Sequence, residues 1–348
     1  MTKSLNMKPL DIPPDLSVKL RNINFLCTLL IILLHANTIS LLEREDTFIY
    51  HFENLLANGI CRIAVPYFFL AAGFFFFCRF QQGFYWNIFF QQIGKRCRTL
   101  VVPYLVVVGI FWCLMFLLKR MSLFPAIQLD VSPAGILKYI FVNPRYSYPL
   151  WFIRDLFVLC VFAPILYYPL ARLKLAIPTI AVIIAICLFV RPELYLFRPD
   201  SLAYFALGAF LKLHYRLANS QMPKRAIALL ALWFFLCVVV ELIKMKYLFL
   251  LRDFCGIIAV WCCYDIFVVK PNDRAWKLAG YSFFLYLFHE PLLSLFKTTL
   301  WNLVSKGDGV ALVIYFFAII IVIPVLFIAA YCSNRYCPKI YQIVCGGR

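Results

Sequence analysis

Two histidines lie within apolar stretches of the sequence, at positions where lipid hydrocarbon would surround them. His35 follows Ile31-Ile-Leu-Leu, and His289 is followed directly by Glu290 and Pro291. Ionisable side chains are energetically costly inside a membrane and usually serve a function there. A histidine can act as a general base on a hydroxyl group near neutral pH, or it can stay neutral and bond to a facing helix. His35, His289 and Glu290 are therefore the candidate catalytic residues, and a structural role is the alternative for each.

A basic cluster comes directly before another apolar stretch. Lys95, Arg96 and Arg98 lead into Pro103 and Tyr104. Cationic side chains bind phosphate groups, and they also anchor the cytoplasmic ends of membrane spans. Lys95 and Arg98 are therefore candidates for binding a phosphate-bearing ligand, with anchoring as the alternative.

Two further segments combine arginine with residues suited to a polar ligand site. Arg62 precedes an apolar helix that contains Pro66 and Gly73, and Gly permits the close approach of a neighbouring helix or a ligand. Trp151 lies three residues before Arg154, which is followed by an aspartate. The segment that begins at Arg62 predicts either a ligand site or a kinked packing helix. The segment with Trp151 and Arg154 predicts either a local ion pair or a polar site beside an aromatic platform.

The amino-acid composition indicates what kind of structure positions these residues. The chain has 348 residues, of which 64% are hydrophobic and 14% charged, and its mean hydropathy is +0.86. So few polar residues cannot cover a water-soluble surface, which excludes a soluble enzyme, a nucleic-acid-binding domain and a disordered scaffold. The net charge of +18 is consistent with basic loops that set topology and contact anionic lipids. The sequence predicts an integral membrane protein.

Apolar runs of about the length that crosses a bilayer predict an all-α, polytopic bundle of about ten spans. These runs cover residues 23–42, 63–80, 100–118, 150–170, 175–190, 202–213, 226–243, 247–269, 281–304 and 310–331. We expect a cytoplasmic tail at 1–21, a membrane domain at 22–332, a short cytoplasmic tail at 333–348 and no appended soluble domain. The charge bias of the loops favours cytoplasmic termini.

Four other charged residues within the spans are expected to form structural pairs. Arg252, Asp253 and Asp265 lie in the eighth span, and Glu241 lies at the end of the seventh. The 14 cysteines are scattered along apolar runs, where a thiol behaves as a small hydrophobe, and they predict no disulfide framework. No metal site is predicted, because the cysteines near the end of the chain lack a histidine or CxxC partner.

Taken in order, these segments resemble the acyltransferase-3 family of polytopic membrane O-acyltransferases. Six motifs carry the resemblance, and they run over most of the chain: Leu-Leu-His35, Val-Pro-Tyr-Phe-Phe-Leu-Ala-Ala-Gly73, Lys95-Arg-Cys-Arg98 with Pro103-Tyr104, Pro149-Leu-Trp151-Phe-Ile-Arg154, Tyr204-Phe-Ala-Leu-Gly208, and Ser282-Phe-Phe-Leu-Tyr-Leu-Phe-His289-Glu-Pro291.

The resemblance implies an O-acetyltransferase of the bacterial inner membrane. Acetyl-CoA would be a cosubstrate, no cofactor would be bound, and the acceptor would be a hydroxyl of a cell-surface polysaccharide or a lipid-linked sugar. By that analogy His35 is the essential histidine of the first helix, and Lys95 with Arg98 matches the motif that bears on donor use. Arg62, Trp151 and Arg154 are then candidates for the acceptor site. Direct transfer and a covalent acyl intermediate are both compatible with these residues.

Three departures from the family pattern are visible. The family commonly has an arginine eleven residues before the histidine of the first helix, where this chain has Asn24, with Arg21 one turn earlier. Ala72 replaces a serine, and Lys95 replaces an arginine. The rival interpretation is a secondary transporter or lipid-linked-sugar flippase in which the same polar residues line a pathway. The absence of an inverted repeat counts against it.

Overall fold

The protein is described by a computed structural model that covers residues 14–42, 45–123, 128–142, 145–189, 197–214, 223–267, 277–304 and 306–347. Within these ranges the regular structure is helical, as predicted, and contains no strand. The α-helices, labelled here α1–α14 in chain order, are Pro14–Ala36, Phe48–Asn54, Ala64–Phe77, Trp86–Arg96, Val102–Arg120, Pro133–Phe141, Trp151–Leu170, Leu173–Phe189, Pro199–His214, Pro223–Ile243, Lys246–Phe267, Ser282–Leu303, Asp308–Tyr336 and Pro338–Val344.

Some of these helices join into longer ones. The π-helical segment Leu55–Ile60 and the 3-10 turn Cys61–Ile63 connect α2 to α3, and a second π-helical segment, Cys97–Val101, connects α4 to α5. Local π-helical turns are often found at functional positions. Here Arg62 lies in the 3-10 turn, and Arg98 lies in the second π-helical segment.

Each of the ten predicted apolar regions contains a helix, but the count of about ten spans is not confirmed. Among the described residues, seven helices are long and apolar enough to cross a membrane: Asp15–Leu41, Phe48–Phe77, Trp86–Arg120, Ser147–Leu170, Arg225–Ile243, Tyr247–Ile266 and Asp308–Tyr336. Helices α8 and α9 have only 17 and 16 residues. Helix α12 has 22 residues, but polar side chains interrupt its apolar sequence.

Helices α3 and α9 pack with their backbones in close contact. A Cβ atom on Gly73 would lie 2.1 Å from the Phe205 carbonyl oxygen, and one on Gly208 would lie 1.9 Å from the Leu70 carbonyl oxygen. Only glycine is compatible with both positions. The expected close approach at Gly73 is therefore made by a neighbouring helix.

The predicted structural pairs within the bundle are confirmed. Arg252 binds Asp253 with a shortest distance of 2.6 Å, and the Nζ atom of Lys19 lies 2.7 Å from Asp265. Glu241 accepts a hydrogen bond from Asn54 and lies 3.2 Å from the Nδ1 atom of His51. Pairing of this kind compensates for the removal of these charges from water.

The bundle has two ends that can be distinguished by the path of α1. Helix α1 begins at Pro14 and, after 23 residues, or about 35 Å, ends at Ala36. Gly346 packs against Thr99 beside the start of α5, near the end where α1 begins. We call the end where α1 begins the near face and the end where α1 stops the far face. Helices α9 and α11 begin at the far face, and α8 and α10 end there.

Candidate functional site

His35 and His289 come together inside the bundle. Their ring centroids are 5.3 Å apart. His35 lies in the last turn of α1, and His289 lies in the middle of α12, so the helix packing joins residues that are far apart in the sequence. His289 is fully buried, whereas His35 is partly exposed.

The hydrogen bonding of His289 determines which ring nitrogen carries the proton. Its Nδ1 atom lies 2.7 Å from the Tyr286 carbonyl oxygen. A carbonyl can only accept, so Nδ1 donates, and in the neutral ring the lone pair is then on Nε2. Nε2 is buried and has no hydrogen-bond partner among the described residues. Nε2 therefore keeps an acceptor lone pair that no described residue uses.

The backbone of α12 leaves the helical conformation immediately after His289. Glu290 has φ −108° and ψ 136°, the extended conformation favoured by a residue that precedes proline. The partly exposed Glu290 side chain accepts a 3.3 Å hydrogen bond from the Ser294 backbone N–H. Glu290 therefore caps the second half of α12, and it lies beside the histidine pair in sequence.

Lys297 holds the end of α1, and the sequence analysis did not select it. Its Nζ atom donates 2.6 Å hydrogen bonds to the carbonyl oxygens of both His35 and Asn37. The last carbonyls of a helix have no hydrogen-bond partner within the helix, and they lie at the negative end of the helix dipole. An ammonium group there donates the missing hydrogen bonds and brings a favourable positive charge. A lysine two turns after Glu290 in an apolar helix is the signal that would have found it.

A buried carboxylate fixes the residues that follow α1. Glu53 is inaccessible to solvent and accepts hydrogen bonds from the Thr38 backbone N–H at 2.7 Å and from the Thr38 hydroxyl at 2.8 Å. The charges of Lys297 and Glu53 also interact electrostatically. The backbone around His35 is thus held from two sides, by α12 and by α2.

A cavity of about 580 Å³ begins at the near face and extends towards the histidine pair. Its lining includes Arg21, Asn24 and Thr28 of α1, Arg96 at the end of α4, and Tyr286, whose carbonyl binds His289. We call it the near cavity. Thr28 precedes His35 by about two helical turns, or about 10 Å.

The basic cluster is divided between this cavity and the surface. Arg96 is partly buried and lines the near cavity, whereas Lys95 and Arg98 are exposed and are not in its lining. Residues three apart on a helix share a face, and the residue next to Lys95 points about 100° away. The sequence predicted Lys95 and Arg98 as ligand-binding residues, whereas the one residue of the cluster that lines the cavity is Arg96.

A second cavity of about 670 Å³ lies at the far face, where α8 and α10 end and α9 and α11 begin. We call it the far cavity. Its charged and amide lining residues are Asn54, Asn58, Arg62, Arg198, Asp200, Glu241, Lys244, Arg252 and Asp253. The positive charge of Arg62 acts electrostatically on the ring of His35.

The other two predicted acceptor residues have different positions. The Arg154 guanidinium forms an ion pair with Asp155 at 2.9 Å and donates to the Val142 carbonyl at 2.6 Å, and Arg154 lines neither cavity. Trp151 lies beneath Arg198, with the guanidinium carbon 3.9 Å from the ring centroid. Arg198 is thus the arginine beside Trp151 that faces the far cavity, and the sequence analysis missed it.

An aromatic partition separates the two cavities at the start of α7. Phe152 lines the near cavity, and the adjacent Trp151 contacts Arg198 of the far cavity. Phe69 packs against both, with ring centroids 4.6 Å from Phe152 and 6.2 Å from Trp151. Phe152 also contacts Tyr286 at 5.9 Å. Tyr286 also contacts His289 at 5.9 Å, so the partition and the histidine pair lie in the same region of the bundle, although neither histidine belongs to the lining of a cavity.

No three histidine, cysteine, aspartate or glutamate side chains in the described ranges are grouped as metal ligands would be. The polar groups around the cavities are suited to binding anions and hydroxyl groups.

Comparison with known proteins assigns most of the chain to one family model, which is described as an acyltransferase domain and matches residues 20–331. The succinoglycan biosynthesis protein ExoH of Rhizobium meliloti (strain 1021) is 25% identical over 311 residues, which cover 84% of this chain and 81% of that protein. No solved structure matches the chain.

Proposed function

This chain belongs to the acyltransferase-3 family of membrane-embedded enzymes, as its motifs indicated, and from that premise we propose that it transfers an acetyl group from acetyl-CoA to a glycan hydroxyl. The observation that carries the proposal is the contact of His35 with His289 beside an aromatic partition that has the near cavity on one side and the far cavity on the other. Two substrates that cannot mix freely across a membrane require such an arrangement.

The near cavity is the proposed donor site. CoA carries several phosphate groups, and the guanidinium groups of Arg21 and Arg96 face this cavity. Arg21 and Asn24 both belong to the lining, which supports Arg21 as the replacement for the arginine that the family commonly has at Asn24. Lys95 and Arg98 are exposed nearby and would attract the anionic donor from solution. In this proposal the near face and both termini are cytoplasmic.

The far cavity is the proposed acceptor site. It combines arginine, carboxylate and amide groups with Phe249, and such groups can bind sugar hydroxyls and cover a sugar ring. A polysaccharide or its lipid-linked precursor is the proposed acceptor, because the related ExoH protein is named for succinoglycan biosynthesis. The bacterial inner membrane is the matching location.

The chemistry requires one base between donor and acceptor. In the proposed step, His35 accepts the proton of the acceptor hydroxyl while the hydroxyl oxygen attacks the thioester carbonyl carbon. An ester C–O bond forms, the C–S bond breaks, and the CoA thiolate recovers the proton from the His35 imidazolium. His289 stabilises the charged intermediate state through its unpaired Nε2 or relays the proton, while Lys297 keeps the His35 backbone in position.

The proposal is tested by supplying acetyl-CoA labelled in the acetyl group to membrane vesicles that contain the full chain and its native glycan. We expect the label to appear in base-labile glycan esters with the wild type, and to be lost with His35→Ala at equal protein level. Lys119→Ala is the matched control, because Lys119 is exposed at the end of α5 and lines neither cavity.

The alternatives give different results. Glycan movement across the membrane that proceeds without any acyl-CoA would support the transporter interpretation. Label transferred from another acyl-CoA but not from acetyl-CoA would support the acyltransferase function and identify a different acyl donor. No transfer from any acyl-CoA, with acceptor present, would refute the proposed reaction.

A further inference from the structure

The far cavity is lined by three arginines, one lysine and three carboxylates, so its cationic side chains outnumber its carboxylates by one. Arg252 is already paired, since its Nε and Nη2 atoms donate to Asp253 at 2.8 and 2.6 Å and its Nη1 atom donates to the Asn58 carbonyl at 2.7 Å. Both of these donors bind the Oδ1 atom of Asp253, and the charge of Arg62 also acts electrostatically on this carboxylate. The remaining arginines of the lining, Arg62 and Arg198, need other partners.

The other two carboxylates of the lining form contacts with groups other than Arg62 and Arg198. Glu241 binds Asn54 and His51, and Asp200 accepts a 3.1 Å hydrogen bond from the Ser201 backbone N–H. Neither carboxylate forms a hydrogen bond with the guanidinium of Arg62 or Arg198 in the described part of the chain.

Arg62 and Arg198 therefore keep N–H donors that can serve a ligand. The Arg62 side chain, which is partly buried, makes no hydrogen bond or ion pair to any residue that the structure describes. Arg198 donates from Nη2 to the Tyr148 hydroxyl at 2.5 Å and stacks on Trp151, and nearby Asp155 is already bound by Arg154. A guanidinium group has five N–H donors, so both side chains have donors to spare.

The geometry points to an acceptor that carries an anionic oxygen group, a phosphate or a carboxylate, which Arg62 and Arg198 bind in the far cavity. This inference rests on the proposed function only in calling the ligand the acceptor. Guanidinium groups bind oxyanions through paired, charge-assisted hydrogen bonds, which gives orientation as well as affinity. The charge of Arg62 also acts on His35, so an anion bound at Arg62 would lie within electrostatic range of the proposed base.

Two sources of this group are possible, namely the phosphate of a lipid carrier and a carboxylate on the sugar, and the experiment separates them. The purified full chain in nanodiscs of zwitterionic lipid is titrated by calorimetry with inorganic pyrophosphate, with glucuronate and with glucose. Excess CoA is present throughout to occupy the cationic groups of the near cavity. Binding of pyrophosphate alone indicates a lipid-carrier phosphate, and binding of glucuronate indicates an acidic sugar.

We expect at least one anionic probe to bind, and we expect Arg62→Gln and Arg198→Gln each to weaken that binding about ten-fold or more, because each removes a charge-assisted contact. Arg62→Lys keeps the charge and should lose less. Arg120→Gln is the matched control, since Arg120 is an exposed arginine at the end of α5 that lines neither cavity. Raising the salt concentration should weaken binding to the wild type.

Several results would overturn the inference. They are no binding of either anionic probe to the wild type, binding that Arg62→Gln and Arg198→Gln leave unchanged, and binding of glucose that matches that of the anions. Size-exclusion chromatography identifies any variant that fails to fold, in which case Arg62→Lys and the salt dependence carry the test. Anion binding is measured without catalysis, so failure here leaves the acyl-transfer assay to decide the proposed function separately.

Discussion

Lys297 provides the most detailed prediction, because the structure shows what its ammonium group holds. Lys297→Met keeps most of the length and apolar character of the side chain and removes both 2.6 Å hydrogen bonds to the His35 and Asn37 carbonyls. A hydrogen bond to a charged group contributes about 1.5–3 kcal/mol, and removing the ammonium also removes the cost of burying it, so the lower value applies to each bond. The expected loss is about 3 kcal/mol in the free energy of unfolding.

The same change should affect catalysis beyond its effect on stability. A displacement of about 1 Å in a catalytic group typically lowers the rate about a hundred-fold, and His35 is anchored through the carbonyl that Lys297 binds. We expect kcat to fall by about that factor while the KM for the acyl donor stays near the wild-type value, because Lys297 lines neither cavity.

The assay combines thermal unfolding in detergent with transfer kinetics at a temperature where the variant is folded. Lys297→Arg keeps a cationic donor at the same position and should recover part of the rate. Exposed Lys119 is the matched control as Lys119→Met, which should change neither quantity. A wild-type melting temperature and a wild-type kcat for Lys297→Met would refute the reasoning.

Two other changes test the framework around the histidine pair. Glu53→Gln replaces one of the two oxygens that bind Thr38 with an N–H donor, so we expect a loss of about 1–2 kcal/mol in unfolding free energy and a smaller decrease in transfer rate. An unchanged melting temperature would contradict this role. Gly73→Ala places a Cβ atom 2.1 Å from a carbonyl oxygen of α9 and should lower the melting temperature and the yield of folded protein. Gly109→Ala has open space at its Cβ and should fold like the wild type, so equal behaviour of the two alanine variants would contradict the α3–α9 packing.

The class of protein and the two histidines were predictable because each depends on residue type and local context. An ionisable side chain in an apolar run is visible in the sequence, and this rule selected His35 and His289. Their contact was not predictable, because it depends on how α1 and α12 pack. His35 alone was equally compatible with a neutral residue bonded to a facing helix, whereas the adjacent His289 and Glu290 favoured a functional role.

The basic cluster shows where the sequence was insufficient. The motif selected Lys95 and Arg98, but the structure turns Arg96 into the near cavity and leaves the motif residues at the surface. Lys95 and Arg96 are neighbours in α4 and point about 100° apart, and Arg98 lies in a π-helical segment whose altered helical phase spacing alone does not reveal. Which side of a helix faces a cavity is set by its neighbours.

Two other residues of the site were missed for different reasons. Lys297 was detectable from its place in an apolar helix, and its partners are backbone carbonyls that no sequence motif records. Arg198 was not predicted, because it directly precedes a short helix and its position in the site depends on its contact with Trp151. Trp151 lies 47 positions earlier in the chain, so the sequence does not show this contact. The count of about ten spans is not confirmed, because α8 and α9 have only 17 and 16 residues and are shorter than the helices that are long enough to cross a membrane.

The central claim is that an acyl group from the near face reaches an acceptor at the far face at the His35–His289 pair. It is tested most directly in sealed proteoliposomes that contain the full chain, with membrane-impermeant labelled acetyl-CoA outside and a glycan acceptor confined either inside or outside. The account predicts that label enters the acceptor only when the two substrates are on opposite sides, and that His35→Ala abolishes this transfer. Label that enters an acceptor on the same side as the donor, or transfer that persists in His35→Ala, would contradict it.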